Sequence, residues 1–196
     1  MTNPSNRRTF LTGLLGIAGA GALAWTLHRK GAGPAAAEAS PKITGPVTIV
    51  KFGDDGKRLG TVTTAKIVKS DDEWKKQLTP LQFEVTRRAD TERAFTGALN
   101  NEHAPGIYRC ICCDNALFTS DAKFESGTGW PSFWAPITKE NVSQKSNASF
   151  SIMGAEVSCK LCDAHLGHVF DDGPRPTGLR YCMNSAALRF IPRNKT

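Results

Sequence analysis

Cys110-Ile111-Cys112-Cys113 and Cys159-Lys160-Leu161-Cys162 are two C-x-x-C knuckles in a chain of 196 residues. Two such knuckles can place four sulfur atoms at the corners of the tetrahedron that Zn²⁺ prefers. The interval between them exceeds the roughly 15 to 20 residues of a simple zinc ribbon. We therefore predict a structural zinc site whose knuckles clamp an inserted substructure. Paired disulfides are the alternative, because exported proteins often use cysteines in that way.

The rest of the chain has the pattern of a mainly β protein with small N-terminal helices. Short β-rich segments lie near 107–110, 149–153, 155–159, 168–170 and 186–191. Ser70 and Glu73 are spaced as a capping box, which predicts a helix over 73–78 that stops before Pro80 and a second one from Pro80 to residue 87 or 88. Two further β-rich runs, 47–52 and 59–68, flank a turn and predict a hairpin.

The first 39 residues have the composition of an export signal. Arg7-Arg8 precede an uncharged apolar run over 10–27, and small residues of the A-x-A type follow at 35–39. The paired arginines resemble the twin-arginine type of signal, which carries folded proteins. An uncleaved membrane anchor is the alternative, for which the run is barely long enough. We expect a periplasmic or otherwise exported protein that meets a membrane only through this segment.

The charge of the chain argues against a nucleic-acid binder. Its 25 basic and 18 acidic side chains give a net charge of +7. Residues 1–39 contain four of the basic and one of the acidic residues. The remaining residues therefore include 21 basic and 17 acidic side chains, a net charge of +4. A domain this near neutral lacks the strongly basic surface that nucleic acids require.

Cys182 is a solitary cysteine within 178–185, and Arg180 lies two residues before it. A neighbouring guanidinium favours the reactive thiolate. His165 and His168 supply two imidazoles outside the knuckles, so a nucleophile and an acid are both available. A buried structural thiol, a His-x-x-His metal pair and ordinary core histidines stay open as alternatives.

A second dense segment, 127–134, contains two glycines and the indoles of Trp130 and Trp134. The glycines permit a tight turn, and the indoles offer large apolar faces. These rings are either core aromatics beneath a loop or the wall of a pocket for a small apolar group.

Six blocks in order over residues 70–192 resemble the peptide methionine sulfoxide reductases of the B type. The blocks are Glu92–Gly97, Tyr108–Cys110 with Cys113, Lys123–Gly127 with Gly129–Phe133, Cys159 with Cys162, His165–Pro174 and Gly178–Ser185. Ordered blocks are far more specific than any single motif. The resemblance implies two small antiparallel sheets, a reductase domain over 69–196, and a linker with a hairpin extension over 40–68.

The resemblance also implies roles for the site residues. Structural zinc is held by the four knuckle cysteines, Cys110, Cys113, Cys159 and Cys162. Cys182 is the nucleophile, and Arg180 favours its thiolate. The sulfoxide oxygen is held and protonated by a set of polar side chains, namely His165, His168 and Asn184. Trp130 receives the substrate methyl group, and the substrate is the R epimer of methionine sulfoxide in oxidised peptides and proteins.

The chemistry of a sulfoxide fits this set of residues. Its sulfur is a poor electrophile until its oxygen is protonated or strongly hydrogen-bonded, so the site must supply a thiolate together with an acid. Attack by Cys182 releases methionine and leaves a sulfenic acid on the enzyme.

The chain departs from many members of this family at Thr128, where they have a resolving cysteine. The extra thiol, Cys112, lies inside the first knuckle, so it is a poor candidate for that role. We expect an external thiol or a thioredoxin-like partner to reduce the Cys182 sulfenic acid directly. The alternative function is a zinc-stabilised binding module without catalysis, and the hairpin either docks a partner or shields a sheet edge.

Overall fold

The computed structural model describes residues 45–145 and 154–193, and its strands form three antiparallel sheets. The eleven strands described are β1 Val47–Phe52, β2 Arg58–Thr64, β3 Gly106–Cys110, β4 Ala116–Thr119, β5 Lys123–Phe124, β6 Ser132–Phe133, β7 Val142–Lys145, β8 Ala155–Cys159, β9 His165–Phe170, β10 Arg180–Met183 and β11 Leu188–Pro192. The two α-helices described are α1 Asp71–Gln77 and α2 Pro80–Arg88. The mainly β class predicted from the sequence is confirmed.

Two of the sheets build the body of the domain. One has six strands in the order β5-β6-β10-β9-β8-β7, and the other has three in the order β11-β3-β4. The third sheet is the predicted hairpin of β1 and β2, paired antiparallel with Val47 opposite Thr64. Residues 47–64 therefore add a separate hairpin to the two small antiparallel sheets that the resemblance implies.

The two main sheets pack on each other through aromatic side chains. Tyr108 and Phe118 from the three-stranded sheet contact Phe133 from the six-stranded sheet, with ring centroids 4.9 and 4.5 Å apart. Tyr181 lies 5.8 Å from Phe118, measured between ring centroids. All four rings are almost completely buried. Each such pair contributes about 0.5–1.5 kcal/mol beyond the burial of its area, so this cluster fixes the two sheets face to face.

Both helices begin with the capping that their sequences indicate. Ser70 and Glu73 form the predicted capping box, which starts α1 at Asp71 rather than at residue 73. Thr79 and Gln82 form a second capping box at the start of α2, with Pro80 at its first position, where a missing N–H costs nothing. Trp74 of α1 is completely buried and anchors this helix to the core.

Several strands differ from the segments predicted from the sequence. The segment 149–153 lies outside the described residues, while β7 at 142–145 fills the edge position that pairs with β8. The last predicted strand starts later, at Leu188, because Ser185–Ala187 form a 3-10 turn. Strand β10 was not predicted, since Arg180–Met183 has only four residues and follows a glycine- and proline-rich stretch. Residues 1–44, which hold the predicted export signal, also lie outside the described part.

Candidate active site and metal centre

Cys182 lies on β10, an inner strand of the six-stranded sheet. It stands opposite Ser132 of β6 on one side and His168 of β9 on the other. Alternation along the strand buries Tyr181 and Met183 in the core and turns Cys182 to the other face. The nucleophile predicted from the sequence is therefore attached to rigid, fully paired backbone.

Gly167 of β9 allows a close approach of the two strands behind this thiol. A Cβ atom at this position would lie 2.1 Å from the carbonyl oxygen of Cys182. The backbone torsion φ of Gly167 is also +153°, in a region that favours glycine. A side chain at residue 167 would thus push β10 away and move Cys182.

A cavity of about 160 Å³ opens onto the Cys182 thiol. The residues that line it are mainly apolar and are Thr91, Trp130, Gly167, His168, Phe170, Cys182, Met183 and Asn184. Four of the residues predicted to act on substrate are among them. His165 and Arg180 do not line the cavity, and each lies behind a residue that does.

Trp130 and Asn184 are held by one buried acid, Glu92, which is 3% exposed. Its carbonyl oxygen accepts a hydrogen bond from the Trp130 indole at 3.0 Å, and its backbone N–H donates to Oδ1 of Asn184 at 3.0 Å. Its carboxylate accepts two further bonds from the backbone N–H groups of Ser185 and Ala186, at 2.6 and 2.8 Å. In the sequence Glu92 stood out only as the first residue of the block Glu92–Gly97, and no local signal revealed its contacts with residues more than 35 positions away.

The two histidines differ in their surroundings. His168 lines the cavity, and burial, followed by the neighbouring His165, lowers the pKa of its ring. His165 is almost fully buried, and its Nδ1 atom lies 3.1 Å from Oε1 of Glu156. The two imidazole centroids are 5.4 Å apart. His168 is therefore neutral near pH 7, while His165 is fixed in position by a carboxylate.

Arg180 is held away from the cavity by Asp172 and Phe170. Its Nε and Nη2 atoms donate to the two Asp172 carboxylate oxygens, each at 2.8 Å, and its guanidinium carbon lies 4.3 Å from the centre of the Phe170 ring. The hydrogen bonds from Arg180 lower the pKa of Asp172. A bidentate pair stacked on an aromatic ring fixes the position of the positive charge.

The thiol of Cys182 is less acidic than we expected from the presence of Arg180 two residues before it in the sequence. Burial raises its pKa above the ordinary value, and hydrogen bonding from Thr128 and the charge of Arg180 oppose this shift without overcoming it. The hydroxyl of Thr128 is hydrogen-bonded to the hydroxyl of Ser126, with an oxygen–oxygen distance of 2.8 Å. The Ser126 hydroxyl is in turn hydrogen-bonded to that of Ser132, at 2.7 Å. The resting site thus holds a protonated thiol beside a chain of three hydroxyl groups.

The four knuckle cysteines come together at a distance from the cavity. The sulfur atoms of Cys110, Cys113, Cys159 and Cys162 all lie within 4.8 Å of one another. Two of the sulfur–sulfur distances are 3.7 and 3.5 Å. Ligands about 2.3 Å from a tetrahedral ion are about 3.8 Å apart, so this set fits a metal of the zinc type. The cysteines are free thiols rather than disulfides in this structure.

The knuckles join the two sheets. Cys110 ends β3 of the three-stranded sheet, and Cys159 ends β8 of the six-stranded sheet. In each knuckle the residue after the second cysteine, Asp114 or Asp163, has a positive φ, a conformation that Asp adopts more readily than most residues. The sequence between them, β4 to β8, is the inserted substructure that the long interval predicted.

A thiol at the floor of an apolar cavity, with histidine and amide groups beside it and a cysteine cluster elsewhere, defines a thiol-dependent enzyme on a β fold. Comparison with known proteins makes this class specific. The SelR domain profile matches residues 78–192. The chain is 55% identical over 125 residues to "Peptide methionine sulfoxide reductase MsrB" of Hahella chejuensis, which covers 64% of this chain and 90% of that protein.

Two further relatives give the same result. "Peptide methionine sulfoxide reductase B1, chloroplastic" of Arabidopsis thaliana is 58% identical over 128 residues, or 65% of this chain and 63% of its own. "Peptide methionine sulfoxide reductase MsrB" of Pseudomonas aeruginosa strain UCBPP-PA14 is 54% identical over 129 residues, which cover 66% of this chain and 98% of that protein. The chain belongs to the SelR domain family of B-type peptide methionine sulfoxide reductases, as its sequence blocks predicted.

Proposed function

We propose that this enzyme reduces the R epimer of methionine sulfoxide in peptides and proteins, with Cys182 as its nucleophile. The activity follows from membership of the family, and relatives named as reductases do not favour the non-catalytic binding module. The observation that supports the choice of residue is the position of Cys182 in the apolar cavity with Trp130, His168 and Asn184. An apolar wall and polar groups around one thiol suit a substrate that has a methyl group and an oxygen on the same sulfur.

Stereospecificity follows from two separate binding positions. The Trp130 indole forms the apolar wall for the methyl group, and its ring is fixed through the bond of Nε1 to the Glu92 carbonyl. The Asn184 amide and His168 supply hydrogen bonds to the sulfoxide oxygen. The epimer in which methyl and oxygen exchange places would put its oxygen against the indole, where no donor faces it because Nε1 is already used.

The chemical step moves two electrons from the cysteine to the substrate. The Cys182 sulfur attacks the sulfoxide sulfur while the substrate oxygen is protonated by the acid of the site. The oxygen then passes to Cys182, its bond to the substrate sulfur breaks, and the products are methionine and a Cys182 sulfenic acid. The protons balance in this step. The proton that the acid donates stays on the oxygen of the sulfenic acid, and the proton that the Cys182 thiol loses restores the acid.

His165 and His168 are our candidates for the groups that hold and protonate the sulfoxide oxygen. Glu156 accepts from Nδ1 of His165 at 3.1 Å and so fixes the position of that ring. His168 lines the cavity, and its ring centroid lies 5.4 Å from that of His165. Arg180, fixed by Asp172, stabilises negative charge as the Cys182 thiolate forms.

We also propose that the four knuckle cysteines hold structural zinc. Thiolate sulfur is the ligand that Zn²⁺ accepts in closed four-coordinate sites, and three of the four sulfurs belong to buried residues. The ion would supply no step of the reaction. Its contribution would be to fasten the turn after β3 to the turn after β8.

Two parts of the proposal concern the surroundings of the enzyme. An external thiol or a thioredoxin-like protein would reduce the sulfenic acid, since Thr128 rather than a thiol lies next to Cys182. Residues 1–39 would export the protein by a twin-arginine-like route, with 40–68 as linker and hairpin and 69–196 as the reductase. Among the described residues, helices long and apolar enough for a membrane span were not found.

A single-turnover experiment tests the proposed chemistry. Reduced, zinc-loaded protein is mixed with a peptide containing R-methionine sulfoxide in the absence of reductant, and a carbon nucleophile traps any sulfenic acid. We expect one equivalent of methionine and an adduct on Cys182, located by peptide mass spectrometry. Cys182→Ser should keep the fold and the zinc but release no methionine, and substantial turnover by this variant would refute the assignment.

A further inference from the structure

Residues 47–77 precede the stretch that the SelR profile matches, residues 78–192. They contribute β1, β2 and α1, and the cavity at Cys182 is lined by later residues. Several of their hydrogen bonds are with the two knuckles of the cysteine cluster. These contacts assign a role to a hairpin that sequence reasoning had left open.

Two adjacent residues that follow β2, Lys66 and Ile67, form hydrogen bonds with the second knuckle. The backbone N–H of Ile67 donates to the carbonyl oxygen of Leu161 at 2.9 Å. The Lys66 ammonium group donates to both carboxylate oxygens of Asp163, at 2.6 and 2.8 Å. The side chains of this ion pair are only 22% and 28% exposed, so water screens the pair less than it would a surface pair.

The first knuckle is held by α1 and by the end of β1. The Gln77 side chain donates to the carbonyl oxygen of Cys112 at 2.6 Å. Arg109, which is 7% exposed, donates to the carbonyl oxygens of Phe52 at 2.9 Å and of Asp114 at 3.1 Å. One buried guanidinium thus connects the hairpin to the residue that follows Cys113.

A chain of hydrogen bonds also runs through the interior from β1 to a ligating sulfur. Asn141, completely buried, accepts from the Val50 N–H and donates to the Val50 carbonyl, both at 2.8 Å. The amide of Asn115 donates to the Asn141 carbonyl at 3.2 Å and lies 3.7 Å from the sulfur of Cys159. The hairpin is therefore fastened to the groups that surround the cluster on its inner side too.

We propose that residues 47–77 form a clasp that bridges the two knuckles and slows the loss of the bound metal. The first knuckle belongs to the three-stranded sheet and the second to the six-stranded sheet, so a bound ion would be released more readily when the two turns separate. Gln77 contacts one turn and Lys66 the other, and both belong to the same short segment. Separation of the turns must break at least one of these contacts, which adds to the barrier for release.

The test measures zinc release from the full-length, zinc-loaded protein to a chromophoric chelator, after metal content has been determined. The clasp variant is Lys66→Met with Gln77→Met, which keeps the apolar stems and removes one contact to each knuckle. The matched control is Lys57→Met, because Lys57 is an exposed lysine of the same hairpin that pairs only with Asp55 at its turn. We expect release about tenfold faster from the clasp variant and unchanged from the control.

A double-mutant cycle between Lys66→Met and Asp163→Asn separates the clasp from a general loss of stability. Asn tolerates the positive φ of residue 163, so that turn should keep its shape. Each single change should accelerate release several-fold, and the double change should be no faster than either. Parental release rates from the Lys66 and Gln77 variants, additive effects in the cycle, or a protein without metal at the four cysteines would overturn the proposal.

Reductase turnover of the loaded variants is measured alongside. It should stay at the parental value, because neither Lys66 nor Gln77 contacts the cavity. A failure of the proposed reduction chemistry would leave the release rates, and therefore the clasp, untouched.

Discussion

The hydroxyl oxygen of Thr128 lies 3.8 Å from the sulfur of Cys182. This is the position from which a second thiol would close a disulfide after the first half of the reaction. The other five cysteines are those of the two knuckles, and Cys112 among them is buried beside the cluster. A resolving cysteine would therefore fit beside Cys182, but the sequence has a threonine, Thr128, at this position.

Thr128→Cys should convert the enzyme to a two-cysteine cycle. A new thiol at this distance from the Cys182 sulfur can react with the sulfenic acid and form a disulfide with loss of water. After one turnover without reductant, intact mass should show the loss of two hydrogen atoms, and peptide mapping should join residues 128 and 182. Thr128→Ser serves as the control and should accumulate the trappable sulfenic acid as the parent does.

The alkylation rate of Cys182 should report its raised pKa. Because burial disfavours the thiolate, the rate with iodoacetamide should be low at pH 7 and rise with a midpoint above the ordinary thiol value of about 8.5. Arg180→Met removes a charge that favours the thiolate, so the midpoint should move to still higher pH. A midpoint below 8 in the parent, measured with zinc bound to protect the other cysteines, would contradict this expectation.

Glu92→Gln should impair substrate binding without unfolding the protein. The carboxylate accepts two backbone N–H bonds at the turn after Asn184, and a neutral amide can replace only part of this. We expect a loss of about 1–3 kcal/mol in the free energy of unfolding, measured in urea, and a larger KM because Trp130 and Asn184 are less well fixed. An unchanged KM alongside the stability loss would restrict Glu92 to a structural role.

Glu156→Gln should lower kcat because the His165 ring is held less firmly. Oε1 of Glu156 lies 3.1 Å from Nδ1 of His165, and a hydrogen bond to a carboxylate is stronger than one to a neutral amide. Glu140→Gln is a suitable control, since Glu140 is exposed and pairs with Thr138 away from the cavity. An identical kcat for Glu156→Gln and the parent would exclude a positioning role of Glu156 toward His165.

Removal of the metal should destabilise the whole domain rather than the site alone. A metal bound by the four cysteines would link the turn after β3 to the turn after β8, and its removal would leave protonated thiols that do not join the two sheets. We expect chelation at pH 7 to lower the thermal midpoint by at least several degrees and to release the knuckles to thiol-reactive dyes. Addition of Zn²⁺ under reducing conditions should restore the thermal midpoint and should again protect the knuckle cysteines from the dyes.

The sequence predicted well those features that depend on local spacing. The two knuckles, the hairpin at 47–64 and the capping box at Ser70 are all encoded within a few residues, and each is found close to its expected place. Cys182 could also be singled out as a candidate nucleophile, because it was the one cysteine outside the knuckles, and this role stays a prediction. Family resemblance then supplied Trp130, His168 and Asn184, and the structure brings these three together around the thiol.

Features that depend on strand register could not be predicted from the sequence. Glu156 stands opposite His168 in the pairing of β8 with β9, and its carboxylate contacts His165. Asp172 and Arg180 meet because β9 and β10 are aligned so that Phe170 stands opposite Arg180. The high pKa of Cys182 was missed for a related reason, since burial is a tertiary property and outweighs the neighbouring charge that the sequence displays.

The placement of Cys182 on an inner strand has a consequence for how the enzyme fails. Strand β10 is hydrogen-bonded to β9 and β6, and its flanking residues Tyr181 and Met183 are buried in the core. Amide hydrogens in such a strand exchange with solvent mainly when the entire domain opens. Local fluctuations therefore leave Cys182 in place, and heat should abolish catalysis at the same temperature at which the β10 amides lose their protection, not before.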